Sequence, residues 1–382
     1  MVHSPQSLHL PWTVDPGRWT ASMYKTITIK IGSNVLTTFD GMPNEKRISH
    51  LVDQMAYLRS KGVNILLVSS GAVASGRKIV SNLKRTDPVS NRQLWASVGQ
   101  VKLIQLYSEL FEKHGIFCSQ ILVTKEDFRD RQHFLNIRNC LETVLEHNIL
   151  PIINENDVVS VTELMFTDND ELAGLISSMM STEAMIILSN VDGIYDGDPS
   201  ACESKVIPVI DGDSPAITKY ITTSKSNFGR GGMVTKFGMA KKVALSGIPV
   251  HLANGYRENI LIDILEDKPA LVQTYFKPGK KSSQIKQWLA YSEINTKGEV
   301  HINEGARNIL YSKKATSILL IGVTAIKGEF LKGDIIKIID ENGNYIGLGK
   351  SQYNAETALK KIGEKNAKPI VHYDYLYLKN GV

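Results

Sequence analysis

The sequence predicts an α/β protein in which an open, mostly parallel sheet is sandwiched by helices and is followed by a small β-rich domain. From Tyr24 onward, short β-rich runs alternate with longer helical patterns, which is typical of β-α-β units. Residues 65–68 are apolar throughout, as expected for a strand that is buried on both faces. After Ile264 the runs become shorter and the turns closer, which indicates a second unit made mainly of β structure.

The alternating patterns predict the order of strands and helices in the first unit. Its predicted strands are short β-rich runs, at residues 26–31, 64–69, 117–123, 150–153, 184–189 and 249–252. Its predicted helices lie between them, at residues 45–61, 91–114, 131–147, 168–181 and 232–246. In the second unit, residues 335–339 and 345–348 flank Asn342-Gly343-Asn344 and predict a hairpin, and residues 373–378 alternate again.

These patterns predict four segments. Residues 1–22 contain three prolines, lack the apolar core of a signal peptide and are interpreted as a leader outside the fold. Residues 23–275 form the α/β domain, residues 276–297 have the composition of a linker, and residues 298–382 form the β-rich domain.

Composition excludes several classes of protein. A net charge of +5 over 382 residues is too small to indicate a nucleic-acid-binding chain, and no apolar run approaches bilayer length. The three cysteines are far apart and lack metal-ligand spacing, which favours a reducing, cytoplasmic compartment.

Two carboxylate-rich loops point to a ligand site. Asn154-Glu155-Asn156-Asp157 follows a predicted strand, and Asp168-Asn169-Asp170-Glu171 opens a predicted helix with Asp168 as its N-cap. Either loop alone is better explained as a polar turn or a helix cap. Together, at the carboxyl ends of strands in an open sheet, they favour a binding site.

Four further loops carry residues suited to binding phosphate. Lys30 with Gly32 ends the first strand, although a lysine extending to solvent from a strand end is an equally good interpretation. Ser70-Gly71-Ala72 presents either a helix N-terminus or small residues for tight packing. The polar turn that begins at Ser189-Asn190 follows a predicted strand, although by itself it is also explained by ordinary turn chemistry.

The fourth loop, at residues 229–236, runs through three glycines into a helix with Lys236 one turn inside. This composition favours a polyphosphate cradle, although it lacks the spacing of a Walker motif. No G-x-G-x-x-G motif follows the first strand, which weakens a dinucleotide-binding interpretation.

Taken together, these segments resemble the glutamate 5-kinase family of the amino-acid kinase superfamily. They occur in the family's order and spacing, at residues 30–33, 70–72, 154–157, 168–170 and 231–236. The tail from Gly298 is similar to the PUA domain of that family. The resemblance therefore covers nearly the whole chain beyond the predicted leader.

The resemblance implies ATP-dependent phosphorylation of the side-chain carboxylate of L-glutamate to L-glutamyl 5-phosphate, the first step of proline biosynthesis. ATP would be the cosubstrate, and Mg²⁺ would be held chiefly by its phosphates. Lys30 and Lys236 would neutralise charge on the phosphoryl group, and Asp170 would orient both ammonium groups. The amides of Gly32, Gly71 and the paired glycines would be offered to phosphate oxygens.

The same resemblance implies the remaining site residues. The glutamate-binding positions would be Ser70, Asn154, Asp157 and Asn169. The nucleotide-binding positions would be Lys30, Gly32, Ser189, Asn190, Arg230, Gly231, Gly232, Met233, Val234, Thr235 and Lys236. Asn190 and Arg230 depart from the commonest family residues, which leaves the role of Arg230 open.

Other interpretations remain at this point. The chain could instead be an acetylglutamate or uridylate kinase, although the 154–157 segment and the C-terminal domain argue against both. It could also bind RNA through its tail, but 12 Lys/Arg against 9 Asp/Glu from Gly298 to Val382 is a mild excess of positive charge. A structural or regulatory appendage is the better interpretation. The resemblance further implies a homo-oligomer, and proline as a candidate feedback inhibitor.

Overall fold

The computed structural model describes residues 24–80, 87–128, 131–160, 166, 168–198, 203–211, 233–269, 271–280, 296–312 and 316–378. The predicted leader, most of the predicted linker, and Arg230, Gly231 and Gly232 lie outside these residues.

The larger sheet has eight strands in the described part of the chain. They are β1 Thr26–Ile31, β2 Asn64–Ser69, β3 Cys118–Val123, β4 Leu150–Glu155, β5 Ala184–Ser189, β6 Val209–Ile210, β7 Val250–Asn254 and β8 Thr274–Phe276. Their spatial order is β3-β4-β2-β1-β5-β7-β8-β6. Every described pairing is parallel except that of β7 with β8, so the predicted mostly parallel sheet is confirmed.

Helices cover both faces of this sheet. They are α1 Ser33–Leu36, α2 Glu45–Ser60, α3 Ala72–Ile79, α4 Pro88–Glu112, α5 Arg131–Glu146, α6 Asn169–Met180, α7 Met233–Leu245 and α8 Ile260–Leu265. Alternate residues of β2 enter two separate apolar cores: Leu66 belongs to one and Leu67 to the other. The strand is therefore buried on both faces, as its continuous apolar run predicts.

The boundaries differ from the predicted ones for local reasons. Helix α4 begins at Pro88 rather than at residue 91, because the Asp87 side chain accepts a hydrogen bond from the Ser90 N–H at 2.8 Å and proline suits the first helical position. Strand β4 continues to Glu155, which pairs with Val123 of β3. The short elements α1, α8, β6 and β8 were not predicted, because a few residues show too little periodicity to distinguish them from loops.

The strand order has a switch point at β1. The chain leaves β1 toward β2 on one side, whereas β5 pairs with β1 on the other side. Lys30 lies opposite Val68 of β2 and Ile187 of β5. Ligands of open α/β sheets bind outside the carboxyl ends of the strands at such a point, which is where the two carboxylate loops are expected to meet.

The smaller sheet is separate and has five described strands. They are β9 Gly298–Ile302, β10 Val323–Gly328, β11 Ile335–Ile339, β12 Tyr345–Ser351 and β13 Val371–Leu378, in the order β10-β9-β11-β12-β13, with helices α9 Glu304–Leu310 and α10 Ala355–Lys360. The predicted hairpin is the antiparallel pair β11–β12. Its turn is held by Asp340, which accepts hydrogen bonds from the N–H groups of Asn342 and Asn344. Within the described residues, no helix is long and apolar enough to cross a membrane.

Helices α3 and α4 approach each other through two glycines. A Cβ atom on Gly76 would overlap the carbonyl oxygen of Trp95, and one on Gly99 would overlap that of Ala72. The contact is between backbones, so no side-chain movement can relieve it. It fixes α4 against the turn at Gly71, which has a φ of +100° and therefore favours glycine.

We predict that Gly99→Ala lowers the free energy of unfolding by about 3 kcal/mol, because the new methyl group forces the two helix backbones apart. The matched control is Gly238→Ala in α7, where the new methyl group would have no atom within 4 Å beyond its own stretch of helix backbone. That change should raise the free energy of unfolding by about 0.5–1 kcal/mol, because alanine favours a helix. Urea denaturation of both variants measures the two effects. Equal stability of the variants would contradict the backbone contact.

Candidate active site

The N-terminus of α6 is fixed by Asp168. This residue has extended backbone and is the N-cap, and its Oδ1 accepts hydrogen bonds from the N–H groups of Asp170 at 2.9 Å and Glu171 at 3.1 Å. The Glu171 carboxylate lies 3.0 Å from the Lys125 ammonium. The first turn of α6 is thereby held so that Asn169 and Asp170 point to the carboxyl ends of the strands.

A buried carboxylate lies between two ammonium groups at the centre of the site. Asp170 is fully buried; its Oδ1 lies 2.6 Å from Lys30 Nζ and its Oδ2 lies 2.6 Å from Lys236 Nζ. Lys30 comes from β1, Asp170 from α6 and Lys236 from α7, so three separate elements meet here. Lys30 is 3% exposed on a central strand, and the interpretation of a lysine extending to solvent is therefore wrong.

Burial and charge act against each other in this cluster. Burial raises the pKa of the Asp170 carboxyl, but the two neighbouring ammonium groups outweigh it and hold the pKa below its usual range. Burial lowers the pKa of Lys30, which Asp170 opposes and Lys236 reinforces. Burial, together with the Asp170 charge, raises the pKa of Asp168. The centre of the site is therefore an ionised Asp170 with an excess of positive charge around it.

Asn169 joins the two loops that were singled out in the sequence. Its Nδ2 group lies 2.8 Å from the Ser69 carbonyl oxygen, 3.0 Å from Ser70 Oγ and 2.9 Å from Asn154 Oδ1. Asn154 in turn donates to Gln100 Oε1 of α4 at 2.9 Å. The structure thus brings three of the four predicted glutamate-binding residues into direct contact.

Asp157, the fourth of these residues, contacts an arginine that sequence reasoning missed. Arg92 Nη2 of α4 lies 2.6 Å from Asp157 Oδ1. Gln100 was missed as well. Both residues lie more than 50 positions from their partners on a long helix, and nothing in their spacing signals a site.

The nucleotide side requires one correction. The N–H of Gly32 donates to the Leu188 carbonyl oxygen at 3.0 Å, so this amide is not free for a phosphate as the resemblance implies. Glycine is needed at this position for space instead. A Cβ atom would lie 3.2 Å from that carbonyl oxygen and 3.7 Å from Lys30 Nζ, beside the ammonium group.

The other predicted nucleotide residues lie at the ends of β5 and α7. Ser189 is buried at the end of β5 and the adjacent Asn190 is exposed, while Met233, Val234 and Thr235 form the first turn of α7. The turn after β5 has more than ordinary turn chemistry. Asp192 Oδ1 accepts hydrogen bonds from Asn254 Nδ2 at 3.0 Å and Arg257 Nε at 2.8 Å. This network links the loop after β5 to the end of β7, where Asn254 pairs with Ser189.

Comparison with known proteins shows the family to which the chain belongs. The chain matches the amino acid kinase family over residues 25–254 and the PUA domain over residues 298–373. It is 52% identical to glutamate 5-kinase of Bacteroides thetaiotaomicron over 357 residues, which is 93% of this chain and 99% of that protein. The chain belongs to the glutamate 5-kinase branch of the amino acid kinase family.

Two further members of the branch match over similar lengths. Glutamate 5-kinase of Chlorobaculum tepidum is 47% identical, with 93% of this chain and 98% of that protein covered. Glutamate 5-kinase of Syntrophus aciditrophicus is 36% identical, with 92% of this chain and 91% of that protein covered. The likeness therefore includes both the α/β unit and the C-terminal sheet.

Glu155 is a buried carboxyl group at the end of β4, beside the site. It is 6% exposed, and its Oε1 accepts a hydrogen bond from the Phe166 N–H at 2.9 Å. A cavity of about 300 Å³ lies beside it, lined by Gln100, Asp157 and mainly apolar residues of α4 and β3. Burial, reinforced by the charge of Asp157, raises the pKa of Glu155 to about 7.

We predict that Glu155→Gln removes part of the pH dependence of stability. The folded pKa of about 7 exceeds the unfolded value near 4.5, so the folded state binds more protons between these values. The parent should therefore lose up to about 3 kcal/mol of unfolding free energy as pH rises from 5 to 8, and Glu155→Gln should lose less.

Urea denaturation at a series of pH values measures this difference. Glu112→Gln, at the exposed end of α4, is the matched control and should follow the parent profile. Parallel profiles for the parent and Glu155→Gln would contradict the interpretation.

Proposed function

We propose that the chain transfers the γ-phosphoryl group of ATP to the side-chain carboxylate of L-glutamate, giving L-glutamyl 5-phosphate for proline biosynthesis. The observation that carries this proposal is Asp170, held 2.6 Å from both Lys30 and Lys236 at the switch point of the sheet. The glutamate 5-kinases to which the chain is similar support the choice of substrate.

The reaction requires no general base. A glutamate side chain has an unperturbed pKa of about 4.3, so the nucleophile is ionised at neutral pH. A carboxylate oxygen forms a bond to the γ-phosphorus, while the bond from that phosphorus to the β,γ-bridging oxygen breaks and leaves its electron pair on ADP. The obstacle is the approach of one anion to another, so catalysis consists of positioning and charge neutralisation.

The two lysines supply that neutralisation from different directions. Lys30 approaches from the end of β1 and Lys236 from the first turns of α7, and Asp170 keeps both ammonium groups in place before the nucleotide arrives. Because the three groups carry a net positive charge in a buried site, they favour the charge that spreads over the transferring phosphoryl group. In this scheme Lys30 and Lys236 are catalytic, and Asp170 positions them.

The remaining residues divide between the two substrates. Glutamate would be bound by Ser70, Asn154, Asp157 and Asn169, which form or adjoin the hydrogen-bonded group around Asn169. The nucleotide would lie along the end of β5 and the start of α7. Its candidate contacts are Ser189, Asn190, Met233, Val234 and Thr235 together with Arg230, Gly231 and Gly232, and Gly32 would leave space for it beside the Lys30 ammonium.

The residues fit a magnesium ion that arrives with the nucleotide. Within the described residues no group of three His, Cys, Asp or Glu side chains could hold a metal by itself. Mg²⁺ in kinases is bound by phosphates with one or two carboxylates. Asp168 Oδ2 is buried and has no hydrogen-bond partner among the described residues, so Asp168 would hold the ion. The ion would supply further positive charge at the phosphates.

The proposal is tested by ATP turnover with hydroxylamine, which traps an acyl phosphate as a hydroxamate. L-Glutamate, N-acetyl-L-glutamate, L-aspartate and UMP are compared as acceptors. Hydroxamate formed mainly from L-glutamate supports the proposal. Faster turnover of N-acetyl-L-glutamate or UMP would favour an acetylglutamate or uridylate kinase instead.

We predict that Lys236→Ala lowers kcat at least about 100-fold and changes the KM for glutamate by less than about threefold. The lost ammonium group acts on charge that develops in the transition state, which raises the barrier without weakening substrate binding. Lys241→Ala, on the same helix, is the control and should retain parental kcat. A rise in the glutamate KM with unchanged kcat would remove Lys236 from the catalytic group.

We further propose that the chain self-associates and that proline inhibits it. Proline resembles the glutamate skeleton and would compete for the same residues. Activity titrated with proline to tens of millimolar, and the mass in solution by light scattering, measure the two properties. A flat proline response or a monomeric mass would reject the corresponding proposal.

A further inference from the structure

Arg92 and Asp157 form an ion pair at the edge of the proposed glutamate site. Arg92 Nη2 lies 2.6 Å from Asp157 Oδ1, with side-chain exposures of 28% and 10%. The pair is therefore partly shielded from solvent, which strengthens the attraction between its two charges. The guanidinium nevertheless remains accessible to a small molecule. This arginine has no role in the phosphoryl transfer described above.

Helix α4 is hydrogen-bonded to the 154–158 segment on either side of this arginine's contact with Asp157. Beside Arg92, Gln93 Nε2 donates to the Val158 carbonyl oxygen at 2.6 Å. Two turns further along α4, Gln100 accepts a hydrogen bond from Asn154. Three side chains of one helix thus fix the segment that carries the predicted glutamate contacts, so Arg92 has a defined position relative to Asp157.

The donors of Arg92 are only partly used. Its Nε atom is buried and has no hydrogen-bond partner within the described part of the chain. A buried guanidinium N–H without an acceptor is costly unless a ligand supplies one. Guanidinium groups bind carboxylates with two parallel hydrogen bonds, which makes a carboxylate the matching ligand.

The charges of the site point to the same ligand. The head group of an α-amino acid carries an ammonium and a carboxylate on one carbon. Lys30 and Lys236 contact Asp170 and Lys125 contacts Glu171, whereas Arg92 contacts Asp157, a proposed glutamate-binding residue. An ammonium placed on Asp157 without a neighbouring carboxylate would be repelled by Arg92. A zwitterion satisfies both partners.

Resting on the proposed function, we infer that Arg92 binds the α-carboxylate of glutamate while Asp157 binds its α-ammonium, so that the pair selects a free α-amino acid. Arg92 is then a specificity-determining residue rather than a structural one. The α-amide of L-glutamate (isoglutamine) keeps the side-chain carboxylate and the ammonium but lacks the α-carboxylate charge. The α-amide therefore distinguishes an arginine that binds the α-carboxylate from one that only positions Asp157.

The test measures kcat/KM by hydroxamate trapping for the full-length parent, Arg92→Gln, Arg92→Lys and Asp157→Asn. Arg92→Gln should lower kcat/KM for L-glutamate about 10- to 100-fold, chiefly through KM, and should leave that for the α-amide within about threefold. Arg92→Lys should restore part of the loss. Asp157→Asn should lower the values for both substrates, because both keep the ammonium group.

Three outcomes would overturn the inference: a parent that does not distinguish glutamate from its α-amide, an unchanged glutamate KM in Arg92→Gln, or an equal loss for both substrates. The last of these would indicate that Arg92 only positions Asp157. The KM for ATP and the thermal unfolding midpoint of each variant control for misfolding. If the parent itself forms no hydroxamate from glutamate, the proposed function fails; a normal parent with an unaffected variant rejects the role of Arg92 alone.

Discussion

The ion pairs of Asp170 with Lys30 and Lys236 are the interaction on which the rest of the α/β unit depends. A fully buried carboxylate is tolerated only when its charge is balanced, and removing one partner of a buried pair commonly costs about 3–5 kcal/mol. Here one carboxylate faces two ammonium groups, so the cluster keeps a positive charge instead of neutralising itself. A polyanionic ligand is the natural counterpart of such a cluster.

The fold supplies the three parts of this cluster from separate elements. Parallel strands end at one edge of the sheet, so Lys30 at the end of β1 lies beside the loops that follow β2, β4 and β5. Asp168 caps α6 and thereby sets the position of Asp170. On the other side of the site, the glycine contact between α3 and α4 sets the position of Arg92 and Gln100 against the 154–158 segment. The lysine cluster therefore depends on the N-cap of α6, and the 154–158 side of the site depends on the backbone contact between α3 and α4.

The sequence predicted the long elements well because their patterns are local. Short β-rich runs predicted β1, β2 and β5 with the observed boundaries, and the N-cap at Asp168 predicted the start of α6. The roles of individual loop residues were harder to predict. Lys30 could have extended to solvent, and only the carboxylate of Asp170, 140 positions away, decides that it is buried. The Gly32 amide was expected to face a ligand, but hydrogen bonding to Leu188 of a neighbouring strand uses it.

The sequence by itself determined the fold class, the family resemblance and the residue types available for chemistry, because periodicity, caps and ordered motifs are written in consecutive residues. Only the tertiary structure decided which of those residues meet. It joined Asn169 to Ser70 and Asn154, enclosed Asp170 between two lysines, and brought Arg92 to Asp157. The physical reason is that burial, ion pairing and desolvation depend on distances in space, and residues far apart in the chain become neighbours only after strand order and helix packing are set.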